Sequence, residues 1–105
     1  MNKEEISQWI KEAEYIVTSF FEYDECGNKE ETRIYEKDGQ LYSLDFCDDS
    51  VNPKWDDKCG NMSERDKDGK RIKDKNGEYI YIYEPRKVRK ETKIVTQEVT
   101  EYVEM

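Results

Sequence analysis

The chain contains three cysteines, whose thiols could support chemistry. Cys26, Cys47 and Cys59 stand 21 and 12 residues apart, so they form no C-x-x-C pair. A tetrahedral zinc site would need a fourth ligand, and this ligand would be a carboxylate because the chain has no histidine. The odd cysteine count and the lack of a secretory leader predict free thiols in a reducing cytoplasm. For an exported chain, a Cys26–Cys59 disulfide is the alternative.

Two aspartate–glycine segments have the composition of calcium loops but not their spacing. They occupy residues 66–69 and 74–77. An EF-hand loop needs oxygen ligands at positions 1, 3 and 5 and a glycine at position 6. Counted from each first aspartate, position 6 is Arg71 or Tyr79, and lysines lie between the acidic residues. We therefore predict tight turns at both places, and we expect the chain to hold no metal and no cofactor.

Carboxylates are dense in the first part of the chain, but their number does not indicate catalysis. A glycosidase needs two carboxyl groups that converge in a deep cleft, and domains of this size seldom build one. No Gly-x-Gly segment offers a phosphate-binding loop. With no histidine, the serine–histidine–aspartate triad and the cysteine–histidine dyad are also excluded. The sequence predicts a protein that is not an enzyme.

Composition narrows the class of protein further. The chain has 105 residues, of which 42% are charged and 34% hydrophobic, and its formal net charge is −8. Surplus negative charge opposes direct binding to nucleic acid, whose phosphates recruit Lys and Arg. No stretch approaches the roughly 18 apolar residues of a membrane span, so no membrane partner is expected. The 12% of aromatic residues nevertheless argues for a folded domain with one small core.

The negative charge is concentrated in one part of the chain. Residues 1–60 hold 7 Lys+Arg against 16 Asp+Glu, a net −9, whereas residues 61–105 hold 11 against 10, a net +1. Carboxylates beside aromatic rings can grip an Arg-rich surface, and opposite charge speeds encounter. The alternative is a solvated acidic face that only keeps the protein in solution. The predicted partner-binding residues are Tyr42, Asp45, Asp48, Asp49, Trp55, Asp56 and Asp57.

A helix over residues 3–14 is the first element predicted to support this surface. Asn2 can cap the helix, and Glu5 stands three residues later, where a capping box needs it. Apolar residues recur with helical spacing along one side, namely at Ile6, Trp9, Ile10 and Ala13. Residues 15–23 follow and are rich in β-branched and aromatic residues, which favours a strand. A continued helix also matches the spacing of their apolar residues and is the alternative.

A first hairpin is indicated by an Asp-Gly pair between two alternating segments, residues 32–36 and 40–47. A three-residue loop would pair Ile34 with Tyr42, whereas a two-residue loop would pair Tyr35 with Tyr42. We expect the three-residue loop, because it gathers the apolar side chains of the hairpin on one face.

The C-terminal region predicts a second hairpin and then a long strand. The hairpin joins residues 70–74 to 78–83 through an Asn-Gly turn, with Ile72 facing Ile80. Residues 88–103 contain a run of threonine, isoleucine and valine, which favours a strand. The valines of this segment also match helical spacing, so a helix is the alternative there.

These elements predict an α+β fold, in which one N-terminal helix packs on a meandering antiparallel sheet of about five strands. The whole chain, residues 1–105, is expected to form a single domain. Residues 48–69 are rich in charges and turn residues, and we expect them to form a flexible loop with Trp55 as its one large anchor.

Small acidic inhibitors of nucleases are similar to this chain in size, charge and fold class. They include immunity proteins, barstar-like inhibitors and phage anti-defence proteins. The resemblance implies a cytoplasmic protein that occludes a basic site on a partner such as a nuclease or nucleic-acid-binding enzyme. A self-associating structural or adaptor module, dimerising through the strand at 92–103, is the first alternative. The second is a small-ligand or metal binder that uses a face formed by Tyr79, Tyr81 and Tyr83.

Overall fold

A computed structural model describes residues 1–56, 60–94 and 98–105. The chain divides into two compact units. The first unit contains Met1–Trp9 and Pro53–Glu84, and the second contains Ile10–Asn52 and Pro85–Met105.

The N-terminal helix, α1, spans Lys3–Glu12 and begins at the predicted capping box. The backbone N–H of Glu5 donates to Oδ1 of Asn2 at 2.8 Å, and the N–H of Asn2 donates to Oε1 of Glu5 at 3.0 Å. These two bonds satisfy donors that a helix N-terminus otherwise leaves unpaired. Ile6 and Trp9 are buried, as the apolar spacing predicts. The helix ends two residues before the predicted end, because the chain there already enters the first strand.

The second unit contains one antiparallel sheet. Its strands are Glu14–Tyr23 (β1), Lys29–Lys37 (β2), Gln40–Cys47 (β3), Ser50–Val51 (β4), Arg86–Ile94 (β7) and Glu98–Glu104 (β8). Neighbouring strands follow the order β1-β2-β3-β7-β8, and β4 pairs with β3 outside this order. In the first unit, two short strands pair with each other, Trp55–Asp56 (β5) and Gly60–Asn61 (β6). One helix followed by a curled antiparallel sheet confirms the predicted α+β class.

The β2–β3 hairpin has the two-residue loop and not the register that we expected. Tyr35 pairs with Tyr42, so the predicted pairing of Ile34 with Tyr42 is wrong. Asp38 and Gly39 at the tip have φ angles of 53° and 78°. Two consecutive positive φ angles are typical of a type I′ turn, whose twist matches that of the flanking strands. This local preference of an Asp-Gly pair outweighs the gathering of apolar side chains on one face.

Both faces of the β2–β3 hairpin carry buried side chains. Tyr35, Leu44 and Phe46 lie on one face, where the ring centroids of Tyr35 and Phe46 are 6.4 Å apart. Ile34 is buried on the other face, and Val88 of β7 is buried on that same face. Full burial of such a side chain contributes about 1.5–3 kcal/mol to folding. The hairpin is therefore the core of the second unit.

β1 forms one edge of the sheet, because its only partner among residues 1–56, 60–94 and 98–105 is β2. Its register with β2 shifts between Tyr15 and Val17 and again between Thr18 and Phe20, which marks two irregularities of the β-bulge type. A bulge interrupts the alternation of side chains and increases the local twist. Residues 15–23 thus lie in a strand, as predicted, and the alternative of a continued helix is excluded.

Two closed rings of backbone hydrogen bonds hold the first unit together. In one ring, Glu64 donates to Ile80, Ile80 donates to Ile72, and Ile72 donates to Glu64, with N···O distances of 2.8, 3.2 and 2.9 Å. In the other ring, Lys54 donates to Ile82, Ile82 donates to Met62, and Met62 donates to Lys54, with N···O distances of 2.6–2.9 Å. Each ring joins three chain segments, so each segment shares its backbone hydrogen bonds between two other segments.

These rings replace the second predicted hairpin. Residues 70–74 and 78–83 do not form the predicted strands, and an isolated bridge between Lys73 and Tyr79 connects them instead. The predicted contact between the two segments is present in the hydrogen bond between the isoleucines of the first ring. Other backbone groups of the two segments bond to a third segment around Glu64. No turn signal in the sequence links this third segment to the other two.

The predicted long strand at 88–103 is in fact a pair of antiparallel strands, β7 and β8. Val88 at the start of β7 pairs with Glu104 at the end of β8. The β-branched composition correctly favoured a strand over a helix. Residues 95–97, between the strands, lie outside the described residues, and their sequence Val-Thr-Gln contains none of the usual turn signals.

Residues 48–69 contain more regular structure than the sequence indicates. The short strands β4, β5 and β6 all lie in this segment. Each has only two residues, which is too short for a periodic pattern to reveal. The flexibility of this segment and the single-domain organisation of the chain stay predictions.

Candidate functional site

β1 exposes large apolar side chains along an edge of the sheet. The exposed fraction is 53% for Tyr15, 49% for Phe20, 50% for Phe21 and 65% for Tyr23, and Ile16 is exposed as well. We call these five residues the β1 surface. Exposed apolar residues on an edge strand mark either a docking site or an aggregation hazard. None of these five residues is among the predicted partner-binding residues.

Contacts within the sheet hold several of these rings in place. The rings of Phe21 and Tyr23 meet edge to face with centroids 5.3 Å apart. The ring of Tyr15 contacts that of Tyr35 at 5.9 Å, and its hydroxyl is 2.7 Å from the hydroxyl of Thr18. A partner would therefore meet rings that are already ordered, which lowers the entropy cost of binding.

A small cleft connects the β1 surface to one of the predicted site residues. It has a volume of about 260 Å³, and Phe20, Glu30 and Asp45 are among the residues that line it. In the strand register, Phe20 pairs with Thr32 and Thr32 pairs with Asp45, so these side chains share one face of the sheet. An aromatic ring beside two carboxylates is suited to a guanidinium or ammonium group.

Asp45 itself makes two polar contacts inside the chain. Its Oδ1 accepts a hydrogen bond from the hydroxyl of Thr32 at 2.8 Å, and its Oδ2 accepts one from Nη2 of Arg86 at 2.9 Å. The side chains of Asp45 and Arg86 are 44% and 42% exposed, so water and other ions can compete for this pair. Asp45 thus combines a fixed position with an accessible charge.

Asp48 and Asp49 form the turn between β3 and β4. Both have positive φ angles, and Oδ1 of Asp48 accepts the backbone N–H of Lys29 at 2.8 Å. Oδ1 of Asp49 accepts Nζ of Lys29 at 2.8 Å and Nη2 of Arg33 at 2.6 Å. These hydrogen bonds, with Lys29 first, hold the pKa of Asp49 below its usual range. The two carboxylates therefore attach the turn to β2.

The other predicted site residues lie in different units. Tyr42 is half-buried in β3 of the second unit. Trp55 is 66% exposed in β5 of the first unit, and Asp56 follows it in the same strand. Asp57 lies outside the described residues. The predicted cluster is consequently divided between the two units, and its binding role stays a prediction.

The cysteines show no arrangement for chemistry within the described chain. Cys26 is exposed and Cys47 is half-buried, and both thiols are free. Burial, followed by the charge of Asp48, raises the pKa of Cys47 and disfavours its thiolate. Cys59, and with it the alternative Cys26–Cys59 disulfide, lies outside the described residues. Among residues 1–56, 60–94 and 98–105, no three acidic or cysteine side chains converge to hold a metal ion.

In three loops, an aspartate side chain accepts hydrogen bonds from the backbone of the same loop. These aspartates are Asp24, Asp66 and Asp74. In each loop, Oδ1 accepts the backbone N–H groups of the residues two and four positions later, at 2.8–3.1 Å. At Asp24 such bonds, the one from Asn28 first, lower the pKa of the carboxyl group. The carboxylate thus acts as a backbone acceptor in a turn, which is the role predicted for the two aspartate–glycine segments.

No protein-family model, curated protein or solved structure matches this chain. Its function is therefore inferred from its own residues. In the part of the chain that is described, no helix has both the length and the apolar character needed to cross a bilayer.

Proposed function

We propose that this chain is a small, acidic, non-enzymatic inhibitor of the immunity or anti-defence type. It acts in the cytoplasm by docking on a basic protein, such as a nuclease or a nucleic-acid-binding enzyme, and by occluding the basic site of that partner. The observation that carries the proposal is the cleft where Phe20 of the β1 surface lies beside the carboxylates of Glu30 and Asp45.

The chemistry of this cleft favours a cationic side chain of the partner. A guanidinium group can stack on the ring of Phe20 while its N–H groups donate to a carboxylate. Phe20 is the ring that serves this cleft, since Phe21 and Tyr23 pair with Glu31 and Lys29 and lie on the other face of the sheet. Aromatic residues of this kind often dominate binding energy. The net charge of −8 adds long-range attraction to a basic partner and raises the association rate.

The predicted site residues differ in the roles that the proposed docking gives them. Asp45 remains central because it lines the cleft, whereas Asp48 and Asp49 serve first as structural acceptors in a turn. Trp55 offers a second exposed ring in the first unit and is treated as an independent contact.

Affinity capture with matched variants tests the proposal. The wild-type chain, the Phe20→Ser/Phe21→Ser variant and the Trp55→Ser variant are immobilised and exposed to a lysate of the native host. A captured protein is then purified, and its affinity and nucleic-acid-processing activity are measured with each chain at low and at moderate ionic strength. All three substituted residues are at least about half exposed, so the variants are expected to remain folded, with a loss of stability of about 2 kcal/mol at most.

Inhibition of a basic enzyme that is lost in Phe20→Ser/Phe21→Ser and that weakens with salt would support the proposal. Loss of binding in Trp55→Ser alone would move the site to the first unit. Binding that does not change with ionic strength, or a captured protein without a basic surface, would contradict electrostatic docking.

Self-association through the C-terminal strand is the second candidate. It is favoured by the position of β8 at the end of the strand order, where one edge has no neighbour in the part of the chain that the structure describes. Sedimentation equilibrium distinguishes the candidates, because a chain that remains monomeric at high concentration cannot be a dimeric adaptor.

A further inference from the structure

The two terminal strands of the curled sheet face each other across an open cleft. β1 and β8 stand at opposite ends of the strand order, so each has one edge without a neighbour among the described strands. Nevertheless, residues Val17, Thr18 and Ser19 of β1 and residues 100–104 of β8 line the same cleft, which has a volume of about 700 Å³. This volume lies within the range of ligand-binding sites, about 300–1,000 Å³.

We infer that this cleft takes an extended segment of the basic partner, which pairs with the edges of β1 and β8; the inference rests on the proposed function. Edge strands present backbone N–H and C=O groups that an added strand can satisfy. A segment lying between both edges gains backbone hydrogen bonds on its two sides. It also removes both exposed edges at once, as closure of a barrel does.

β8 offers the more regular of the two edges. It runs over Glu98–Glu104 in unbroken register with β7. The edge of β1 at Val17 and Thr18 lies between two register shifts, which limits pairing there to a short stretch. The side chains of β8 therefore determine which segment is preferred.

Four consecutive residues of β8 define the chemistry of that segment. Glu101 and Glu104 are exposed, and Tyr102 and Val103 between them are half-buried. Side chains that lie directly opposite across a strand pair contact each other. The segment opposite these four residues should therefore have the order cation, apolar, apolar, cation, as in Lys-Val-Val-Lys. This order is symmetric, so it holds for parallel and antiparallel pairing.

The same residues disfavour a second copy of this chain as the occupant. Antiparallel pairing of two β8 strands around Tyr102 and Val103 would place Glu101 opposite Glu104 of the other copy. Like charges directly opposite each other destabilise a strand pair. The described lining of the cleft contains two glutamates and neither Lys nor Arg, so charge complementarity favours a basic segment.

Two synthetic hexapeptides of equal composition and charge provide the test. One has the sequence acetyl-Ser-Lys-Val-Val-Lys-Ser-amide, and the other acetyl-Ser-Val-Lys-Lys-Val-Ser-amide. Each is titrated into the full chain while amide chemical shifts and hydrogen-exchange rates are followed by NMR. The titrations are repeated with Glu101→Lys/Glu104→Lys and with Asp68→Lys/Glu78→Lys, which makes the same charge change at exposed loops of the first unit.

We expect the Lys-Val-Val-Lys peptide to slow amide exchange in both residues 17–19 and residues 100–104. It should bind about tenfold more tightly than the Val-Lys-Lys-Val peptide, and Glu101→Lys/Glu104→Lys should weaken it by about tenfold more than the control variant does. Equal binding of the two peptides, or protection of only one edge, would overturn the inference. If the peptide leaves the cleft unchanged while Phe20→Ser/Phe21→Ser still abolishes inhibition, the cleft assignment fails and the proposed function stands.

Discussion

Arg33 and Asp49 are joined by a hydrogen bond of 2.6 Å between Nη2 and Oδ1, which connects β2 to the turn between β3 and β4. Lys29 donates to the same Oδ1 atom at 2.8 Å. A carboxylate of the acidic segment therefore faces two cations of its own chain. Because both cations belong to residues 1–60, the net −9 already includes them, but the charge of Asp49 itself is directed into the chain and not toward a partner.

The carboxyl group of Asp49 should titrate below the usual aspartate range, because Lys29 first and Arg33 second favour its ionised form. Since the pKa in the folded state is lower than in the unfolded state, the stabilising contribution is complete above the unfolded-state pKa. It is lost as the pH falls through the folded-state pKa. NMR titration of the Asp49 carboxyl group measures this, and Lys29→Met should raise the pKa. A pKa that is the same in Lys29→Met and in the control Lys90→Met would contradict the assignment.

Removal of Arg86 should strengthen binding to the basic partner. Asp45 is then released from its 2.9 Å hydrogen bond and can accept a guanidinium group from outside. Because both side chains are more than two-fifths exposed and water screens their charges, Arg86→Met should change the free energy of unfolding by less than about 1 kcal/mol. Urea unfolding and the affinity for the partner are measured together. Arg89→Met, which breaks the Arg89–Glu91 pair on the same strand, is the control. Weaker partner binding in Arg86→Met alone would exclude Asp45 from the site.

The parts of the fold that follow from neighbouring residues were predictable. The capping box at Asn2 and Glu5 depends on side chains within a few positions and is present. The Asp-Gly pair at Asp38 and Gly39 likewise gave the position of the turn, but not its loop length and register. The cyclic arrangement around Ile72 was not predictable, because its hydrogen bonds depend on a third segment that is distant in the sequence. Periodicity and turn signals describe pairs of segments, and a ring of three lies beyond them.

Gly39→Ala should destabilise the β2–β3 hairpin by about 1–2 kcal/mol, because an L-residue resists the φ of +78° at this position. No neighbouring atom of the described residues lies within 4 Å of the added Cβ, so the cost comes from the backbone and not from a clash. Equilibrium unfolding in urea measures the change. Asp38→Asn is the control, since asparagine tolerates positive φ and should cost little. Equal losses in both variants would contradict a type I′ turn that requires glycine.

The candidate site was only partly predictable for a related reason. Asp45 was identified from charge density, and it does line a cleft. Charge density alone could not distinguish it from Asp49, whose cations at Lys29 and Arg33 are separated from it in sequence. The β1 surface had a sequence signal, the run of aromatic and β-branched residues at 15–23 without polar alternation. That run was interpreted only as a strand, and its position at the end of the strand order was not predicted.

Ile34→Ala should destabilise the protein by about 2–5 kcal/mol, because the side chain is only 1% exposed and its removal leaves a cavity. Ile16→Ala on the adjacent strand removes the same atoms from a side chain that is 39% exposed. It should change the free energy of unfolding by only about 1 kcal/mol, because a large part of this side chain already contacts water. Chemical denaturation of both variants measures the difference. Equal destabilisation would contradict the observed register, in which Ile34 is core and Ile16 belongs to the surface.

Asp74→Ala should destabilise the first unit, because two backbone N–H groups, of Asn76 and Glu78, lose their acceptor. The expected loss is about 1 kcal/mol. Asp68→Ala is the matched control. Asp68 lies in the neighbouring loop of the same type and contributes only its backbone N–H, which the substitution retains, to the hydrogen bond with Asp66. Thermal unfolding is followed for both variants and for the wild type with and without calcium. Calcium should leave the Tm of the wild type unchanged, because the Asp74 oxygen is already used by the backbone. A rise in Tm with calcium that disappears in Asp74→Ala would show a metal loop instead of a turn.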